Sequence, residues 1–375
     1  MGIWLRKAVA ALLLAATSLA GVQLMFRSDS SLSAMLPMLT EAKKTGRMPD
    51  GAPIRTHYTG NALADDTLTG LVTFFTFLVD GKDPASHRFA LWFLPQLAPL
   101  LVHMYWEAGR RRSPFARIPT VFALAMQLFT GGITLPLYFA LSLLTSSPVP
   151  QRPRGDAIGR ARALLPAVAL GFLVPSAALF LAGARLPLDT KQLLAAAWQP
   201  FPLWVALAYN ALRLLFPGAR SAAGADATTR AALRWVRRAY TGAGALCALA
   251  HLGVLLAVAR SARPADELLR VFVPHALLPR LRGAPLPDAA AERLATRQLF
   301  QYDWLCITAG ALVFFGWSHA ATARPGRREM GVGGWAARVG VLAVLGGPGA
   351  ALAWAGYARE ERVFALQRAK DAKKA

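Results

Sequence analysis

The chain has 375 residues, of which 55% are hydrophobic and 17% charged. Its apolar residues form blocks of about 18 or more rather than stripes of helical period, which excludes a single soluble core and points to an all-α, polytopic transmembrane helix bundle. The net charge of +22 could suit nucleic acid, but Arg110-Arg111-Arg112, Arg237-Arg238 and Arg327-Arg328 fall between apolar blocks, as cytoplasmic loops and headgroup contacts do, so no nucleic-acid partner is expected.

Residues 8–26 follow Arg6-Lys7 and read as a membrane helix or a signal peptide. Ser18-Leu19-Ala20 would serve as a cleavage site, but the apolar stretch runs on through Phe26, which favours a retained helix. Residues 27–61 read as a polar linker. A transmembrane bundle is expected over 62–357, with apolar runs at 62–80, 88–107, 118–145, 163–182, 193–216, 239–259, 300–320 and 334–357. Each is close to the roughly 20 residues that cross a bilayer, giving eight spans, or nine with the N-terminal segment. Pro95, Pro99, Gly131-Gly132, Pro136 and Pro202 predict kinks. The run at 62–80 is the least apolar and partly interfacial. Segment 264–299 is amphipathic around LLRVFVPHALLPRL and is expected to lie partly on the membrane surface. Residues 358–375 read as a basic tail whose last residues narrowly miss a dilysine retrieval pattern. Cys247 and Cys306 both sit in apolar blocks, where they neither bridge nor bind metal.

An acid in or near hydrocarbon is costly and marks a candidate functional site. With each run counted as one crossing, Asp65, Asp66, Glu107 and Asp303 fall on one side, and His103, Gln127, Gln199 and His251 in the same half. Asp80 falls at the other end, about 20 Å away. One acid-rich pocket near one leaflet is therefore expected. Asp303, in Gln301-Tyr302-Asp303-Trp304, is flanked by two aromatics; it could protonate an epoxide or olefin whose cation the rings stabilise, or cap a helix beside an aromatic belt. Glu107 beside Trp106 could be a desolvated general acid with His103 as relay, or an interfacial Glu paired with an arginine. Asp65-Asp66 begins a DDxxD-like pattern that fails at Thr69, and a helix cap explains the pair as well. Asp80-Gly81-Lys82-Asp83-Pro84 reads as a structural turn.

No nucleotide loop, zinc-protease motif or nucleophile elbow is present. The stretch Pro53-Ile54-Arg55-Thr56-His57-Tyr58-Thr59-Gly60, then LVTFFTFLVDGKDP at 71–84, Glu107-x-x-Arg110 and QYDWL at 301–305 resembles fungal integral-membrane terpene cyclases of meroterpenoid pathways, of the ascochlorin and ascofuranone type. The resemblance covers roughly residues 20–320. It implies acid-catalysed opening of an epoxidised farnesyl chain on an aromatic polyketide, followed by cyclisation and proton loss. It implies a multi-pass protein, of the endoplasmic reticulum, acting on a lipophilic epoxidised prenyl-aromatic substrate among membrane lipids, with no cofactor and no metal. A carboxylate role near Glu107 and Asp303 carries over, and less directly one for Asp65 and Asp66. The competing readings are a small-molecule transporter or channel, whose polar residues should run through the whole membrane depth, and a magnesium-dependent prenyltransferase, which should carry two Asp-rich motifs.

Overall fold

The computed structural model describes residues 3–27, 31–48, 50–110, 113–147, 156–182, 186–216, 224–274, 288–323 and 330–372. Among them the regular structure is helical, with an isolated bridge between Arg47 and Pro53 and connecting turns and coil. The helices are α1 (Ile3–Phe26), α2 (Ser31–Thr45), α3 (Ala62–Val79), α4 (Pro84–Gln96), α5 (Ala98–Ala108), α6 (Pro119–Phe129), α7 (Gly131–Leu144), α8 (Ala157–Val168), α9 (Val174–Ala177), α10 (Leu188–Trp198), α11 (Phe201–Leu215), α12 (Gly224–Ala259), α13 (Pro264–Phe272), α14 (Asp288–Ala321), α15 (Val332–Gly346) and α16 (Pro348–Ala372). Among the described residues, five helical stretches are long and apolar enough to cross a membrane: Trp4–Phe26, Ala62–Val79, Ala157–Phe180, Ala227–Ala259 and Arg293–Ala321. Leu12, Leu207, Leu249, Leu252 and Val344 are exposed on the outside of the bundle, as lipid-facing residues are.

Two of the expected crossings do not cross. Residues 118–145 form a helical hairpin. The Ser113 and Thr145 hydroxyls, at its entry and exit, are hydrogen bonded at 2.7 Å, and Phe122 of α6 meets Tyr138 of α7 with ring centroids 5.1 Å apart. The turn is made at Thr130, whose φ of 63° and ψ of 156° place a β-branched residue in a region that only glycine enters cheaply, at a cost of about 1–3 kcal/mol. Helices α15 and α16 double back in the same way at Gly347 (φ 85°). Arg362 of α16 reaches the carbonyl of Met330, just ahead of α15, at 3.2 Å. That second tip is fixed inside the bundle: Gly349 N–H donates to Gln96 at 2.8 Å and the Gln96 amide donates to the Cys247 carbonyl at 3.1 Å.

A hairpin standing where a crossing is expected reverses the side of every later segment, and the expected sidedness fails for that reason. Asp80 and Asp83 lie at the same end as the first turns of α14, where Asp80 accepts from Arg293 at 2.6 Å and Asp83 from Arg297. The turn at 80–84 is structural: Asp83 caps α4 through the Ala85 N–H. The polar segment 27–61 carries α2. The basic tail expected from 358 begins inside α16, with Arg359 and Glu360 only 2% exposed. Of the expected surface segment 264–299, α13 is amphipathic helix, and residues 275–287 lie outside the described residues.

Helix α1 is part of the bundle. Lys7 donates to the carbonyls of Leu144 at 3.0 Å and Ser146 at 3.1 Å, and Ser18 to that of Ile133 at 2.8 Å. Gly21 packs so closely that an added Cβ would meet the Gly132 carbonyl at 3.1 Å.

Candidate active site

The tip of the α6–α7 hairpin, α3, the α4–α5 junction, α14 and the Trp198–Phe201 corner enclose a cavity of about 250 Å³. This is just below the ~300–1,000 Å³ of typical small-molecule sites. Rings from three separate stretches of chain meet on its walls. Phe74 and Phe300 have centroids 5.0 Å apart, Phe75 and Trp198 4.9 Å, Phe75 and Phe300 5.4 Å, and Trp198 and Phe201 5.2 Å. Such a lining excludes water and presents π-faces to a positive charge.

Asp303 is the ionisable side chain among the described residues lining this cavity. It is 4% exposed and forms no ion pair among the described residues. Its partners are neutral donors from the hairpin tip. Oδ1 accepts the Gly132 N–H, and Gly131 and Thr130 stand beside the carboxyl; the Thr130 hydroxyl donates to Met25 Sδ at 3.6 Å. The N–H groups at the start of a helix have no partner within it. Asp303 meets this need for α7. Only glycine fits at 132, because a Cβ there would lie 2.8 Å from both the Asp303 carbonyl oxygen and the Cys306 Cβ.

Glu107 lies elsewhere. It is 1% exposed and takes a two-pronged contact from Arg359, at 3.2 and 3.1 Å. Arg359 also donates to Glu360 at 2.6 Å and to the Ser318 hydroxyl at 2.8 Å. Arg110 donates to Glu360 and lies 3.8 Å from Glu107, and Trp106 donates to Glu360 at 2.9 Å. Two acids and two bases neutralise one another here. Ser318 is fifteen residues along α14 from Asp303, which at 1.5 Å per residue is roughly 22 Å. Asp303, at the middle of α14, and Glu107, on α5 beside the last turns of α14, are therefore far apart, and the single acid-rich pocket expected from the sequence does not form.

The other candidates are also placed. Asp65 accepts the Thr59 N–H at 2.7 Å, the Thr59 hydroxyl at 2.8 Å and the Gly60 N–H at 3.2 Å, so it fixes the turn that enters α3. Asp66 is 62% exposed and pairs with Lys43 at 2.8 Å. Neither lines the cavity, and this diverts the half-match to a diphosphate motif. His103 bonds the Tyr240 hydroxyl at 3.0 Å among Phe139, Phe314 and Phe315, on the Glu107 side. His251 accepts from Trp92 at 2.9 Å, and its other ring nitrogen is 3.1 Å from the Val344 carbonyl. Tyr302 and Trp304 do not line the cavity, since neighbours of a helical residue point about 100° away from it; Tyr302 packs with Met25 and Leu299. The rings that do face Asp303's cavity include Trp198, Phe201 and Phe300, which the sequence reading passed over. The cue available for them was Trp198-Gln199-Pro200-Phe201-Pro202, a break within an apolar run.

Fold and site define a helical protein of membrane type whose apolar cavity holds one acid. Its sequence matches the CtvD domain over residues 9–364, and the chain belongs to that family. It is 30% identical over 170 residues to terpene cyclase ctvD of Aspergillus terreus (strain NIH 2624 / FGSC A1156), covering 44% of this chain and 49% of that one. It is 30% identical over 200 residues to terpene cyclase ascI of Acremonium egyptiacum, covering 51% and 52%, so the chain spans about half the length of these two relatives. With terpene cyclase janA of Penicillium janthinellum it shares 26% over 306 residues, 80% of this chain and 78% of that one. No solved structure matches.

Proposed function

We propose that the chain is a membrane-bound terpene cyclase acting on the epoxidised prenyl (farnesyl) end of a lipophilic meroterpenoid precursor, with Asp303 as the proton donor. The observation that supports this most is the isolation of Asp303: one carboxyl in a ring-lined cavity, held by neutral donors, with no cation paired to it among the described residues. The names of the relatives, all terpene cyclases, agree with it.

The step balances within the site. Asp303 gives its proton to the epoxide oxygen; the C–O bond to the more substituted carbon breaks, leaving a hydroxyl and a tertiary cation. An internal alkene attacks that carbon and forms the new C–C bond, and the cation moves along the chain. A proton then leaves a neighbouring carbon to form an alkene, and the Asp303 carboxylate, the one carboxylate on the cavity wall among the described residues, takes it up. The product is an isomer of the substrate. The Gly132 N–H holds the carboxylate between the two transfers, which is preorganised electrostatic stabilisation. The rings of Phe74, Phe75, Trp198 and Phe300 face the passing charge and keep out water that would trap it as an alcohol.

The cavity admits the reacting end of such a chain, while the aromatic head stays at its mouth among membrane lipids. Endoplasmic-reticulum residence suits an enzyme fed with so lipophilic a substrate. Membranes of a host lacking such pathways, carrying the chain and supplied with the terminal epoxide of a farnesylated phenol, are expected to form a cyclic product of unchanged mass. Recovery of unreacted epoxide, or of the diol alone, would count against this reading.

A further inference from the structure

The polar atoms on the cavity wall are nearly all engaged. The Thr67 hydroxyl donates to the Leu63 carbonyl at 2.8 Å. The Thr130 hydroxyl donates to Met25 Sδ at 3.6 Å, and Asp303 accepts from the tip of the hairpin. The exception is Gln127, three residues before Thr130 on α6. It lines the cavity, and its side-chain oxygen is buried with no hydrogen-bond partner. A buried acceptor left unmade is costly, and the cost is removed by a ligand that brings a donor.

We propose that Gln127 is a substrate-positioning residue that accepts a hydrogen bond from the hydroxyl created when the epoxide opens. This rests on the reading of Asp303 as the acid. The oxygen that receives the proton enters the cavity as an ether and leaves the step as an O–H donor, in surroundings otherwise made of rings and aliphatic side chains. Gln127 is the one wall acceptor among the described residues with nothing bound to it. It stands one helical turn from the acid's anchoring loop, where that oxygen has to be. An acceptor there favours the opened form over the closed one and fixes the chain's end, so the alkene meets one face of the cation.

Two probes test this without turnover: a farnesylated phenol carrying a secondary alcohol on the chain carbon that keeps the epoxide oxygen, and its hydrocarbon-ended counterpart. Each is titrated against the full-length protein in lipid nanodiscs by displacement of a fluorescent prenylphenol. With its alcohol placed as a secondary hydroxyl on that carbon, the alcohol-bearing probe is expected to bind the wild type about tenfold tighter, the discrimination a single satisfied buried hydrogen bond supports. In Gln127→Leu the ratio is expected to fall to about one with hydrocarbon-ended binding retained, and Gln127→Glu, which keeps an acceptor, is expected to restore the preference. Should Gln127→Leu bind neither probe, Gln127→Met, closer in shape, decides. A tenfold preference that survives loss of the amide, or no preference in the wild type, overturns the assignment. The ratio does not depend on catalysis, so loss or survival of turnover in Asp303→Asn judges the acid separately.

Discussion

Two places along α14, its middle and its last turns, adjoin buried carboxylates under opposite regimes. At the first, Asp303 meets only neutral groups of the hairpin tip and faces an open cavity of about 250 Å³. At the other, Glu107 is clasped by Arg359 within a set of two acids and two arginines, and the adjoining void measures about 10 Å³. Burial alone does not separate them, since both are nearly inaccessible. What separates them is the partner. A carboxylate matched to a guanidinium has no proton to give and no room for a substrate, and its energy goes into holding α5, α14 and α16 together. A carboxyl that meets only neutral dipoles can exchange a proton without leaving a bare opposite charge behind.

The largest effect expected from this contrast is on turnover. Asp303→Asn should lower epoxide cyclisation by about 10²–10⁴-fold, the usual worth of a positioned general acid. Asp65→Asn and Asp66→Asn should stay near wild type in the same microsomal assay. Turnover retained in Asp303→Asn would erase the distinction between the two places. The second effect falls on stability. Arg359→Met takes from Glu107 its two-pronged partner, while Glu360 keeps Arg110 and Trp106, and removing one partner of a buried pair costs about 3–5 kcal/mol. The full-length protein in detergent should show a markedly lower midpoint of thermal unfolding, partly restored by adding Glu107→Gln. A midpoint unmoved by Arg359→Met would mean that the four charges contribute little.

The bundle and its acid are legible in the sequence to different depths. The membrane character follows from unbroken apolar blocks, and Asp303 is one of four acids at block ends that the sequence marks, with a helix cap as its other reading. The hairpin at Thr130 is not legible in the same way. Residues 118–145 are apolar throughout, and Gly131-Gly132 fits a kink as well as a reversal; what makes it a reversal is packing of both arms on distant helices, and the need of α7 for a partner at its first N–H groups, which Asp303 fills from 171 residues away. Glu107 misleads for the related reason that its neutralising partner, Arg359, is 252 residues distant, while the nearby Arg110 is mainly bound to Glu360. The cavity rings come from 74–75, 198–201 and 300, separations that no local pattern encodes.

Smaller effects sharpen the comparison. Gly132→Ala should push the hairpin tip away from Asp303, because its Cβ would fall 2.8 Å from the Asp303 carbonyl. A loss of about tenfold or more in turnover is expected with the unfolding midpoint little changed, in keeping with the steep cost of a misplaced catalytic group; unchanged turnover would mean that the tip does not position the acid. The smallest effect concerns the charged layer outside the cavity. Burial pushes the Asp83 carboxyl up, but Arg297, the Ser86 hydroxyl and Arg270 outweigh it and hold it below the usual carboxylate range. A lowered folded-state value means that its contribution is complete above the ordinary carboxylate value of about 4 and is lost as pH falls through the lower folded value. Unfolding midpoints measured downward from pH 5 should therefore drop less steeply for Asp83→Asn than for the wild type. Parallel curves would show that Asp83 does not carry this dependence.

The contrast between the two places is tested most directly by the double variant Glu107→Gln/Arg359→Met, which makes the Glu107 site neutral without stranding a charge on Glu107. Its cyclisation rate, counted per folded molecule on the epoxide of a farnesylated phenol, is predicted to stay within about threefold of wild type, because an interaction made only for structure drops out once folding is normalised. A fall as deep as that of Asp303→Asn would place the chemistry at the wrong point along the helix and contradict the account.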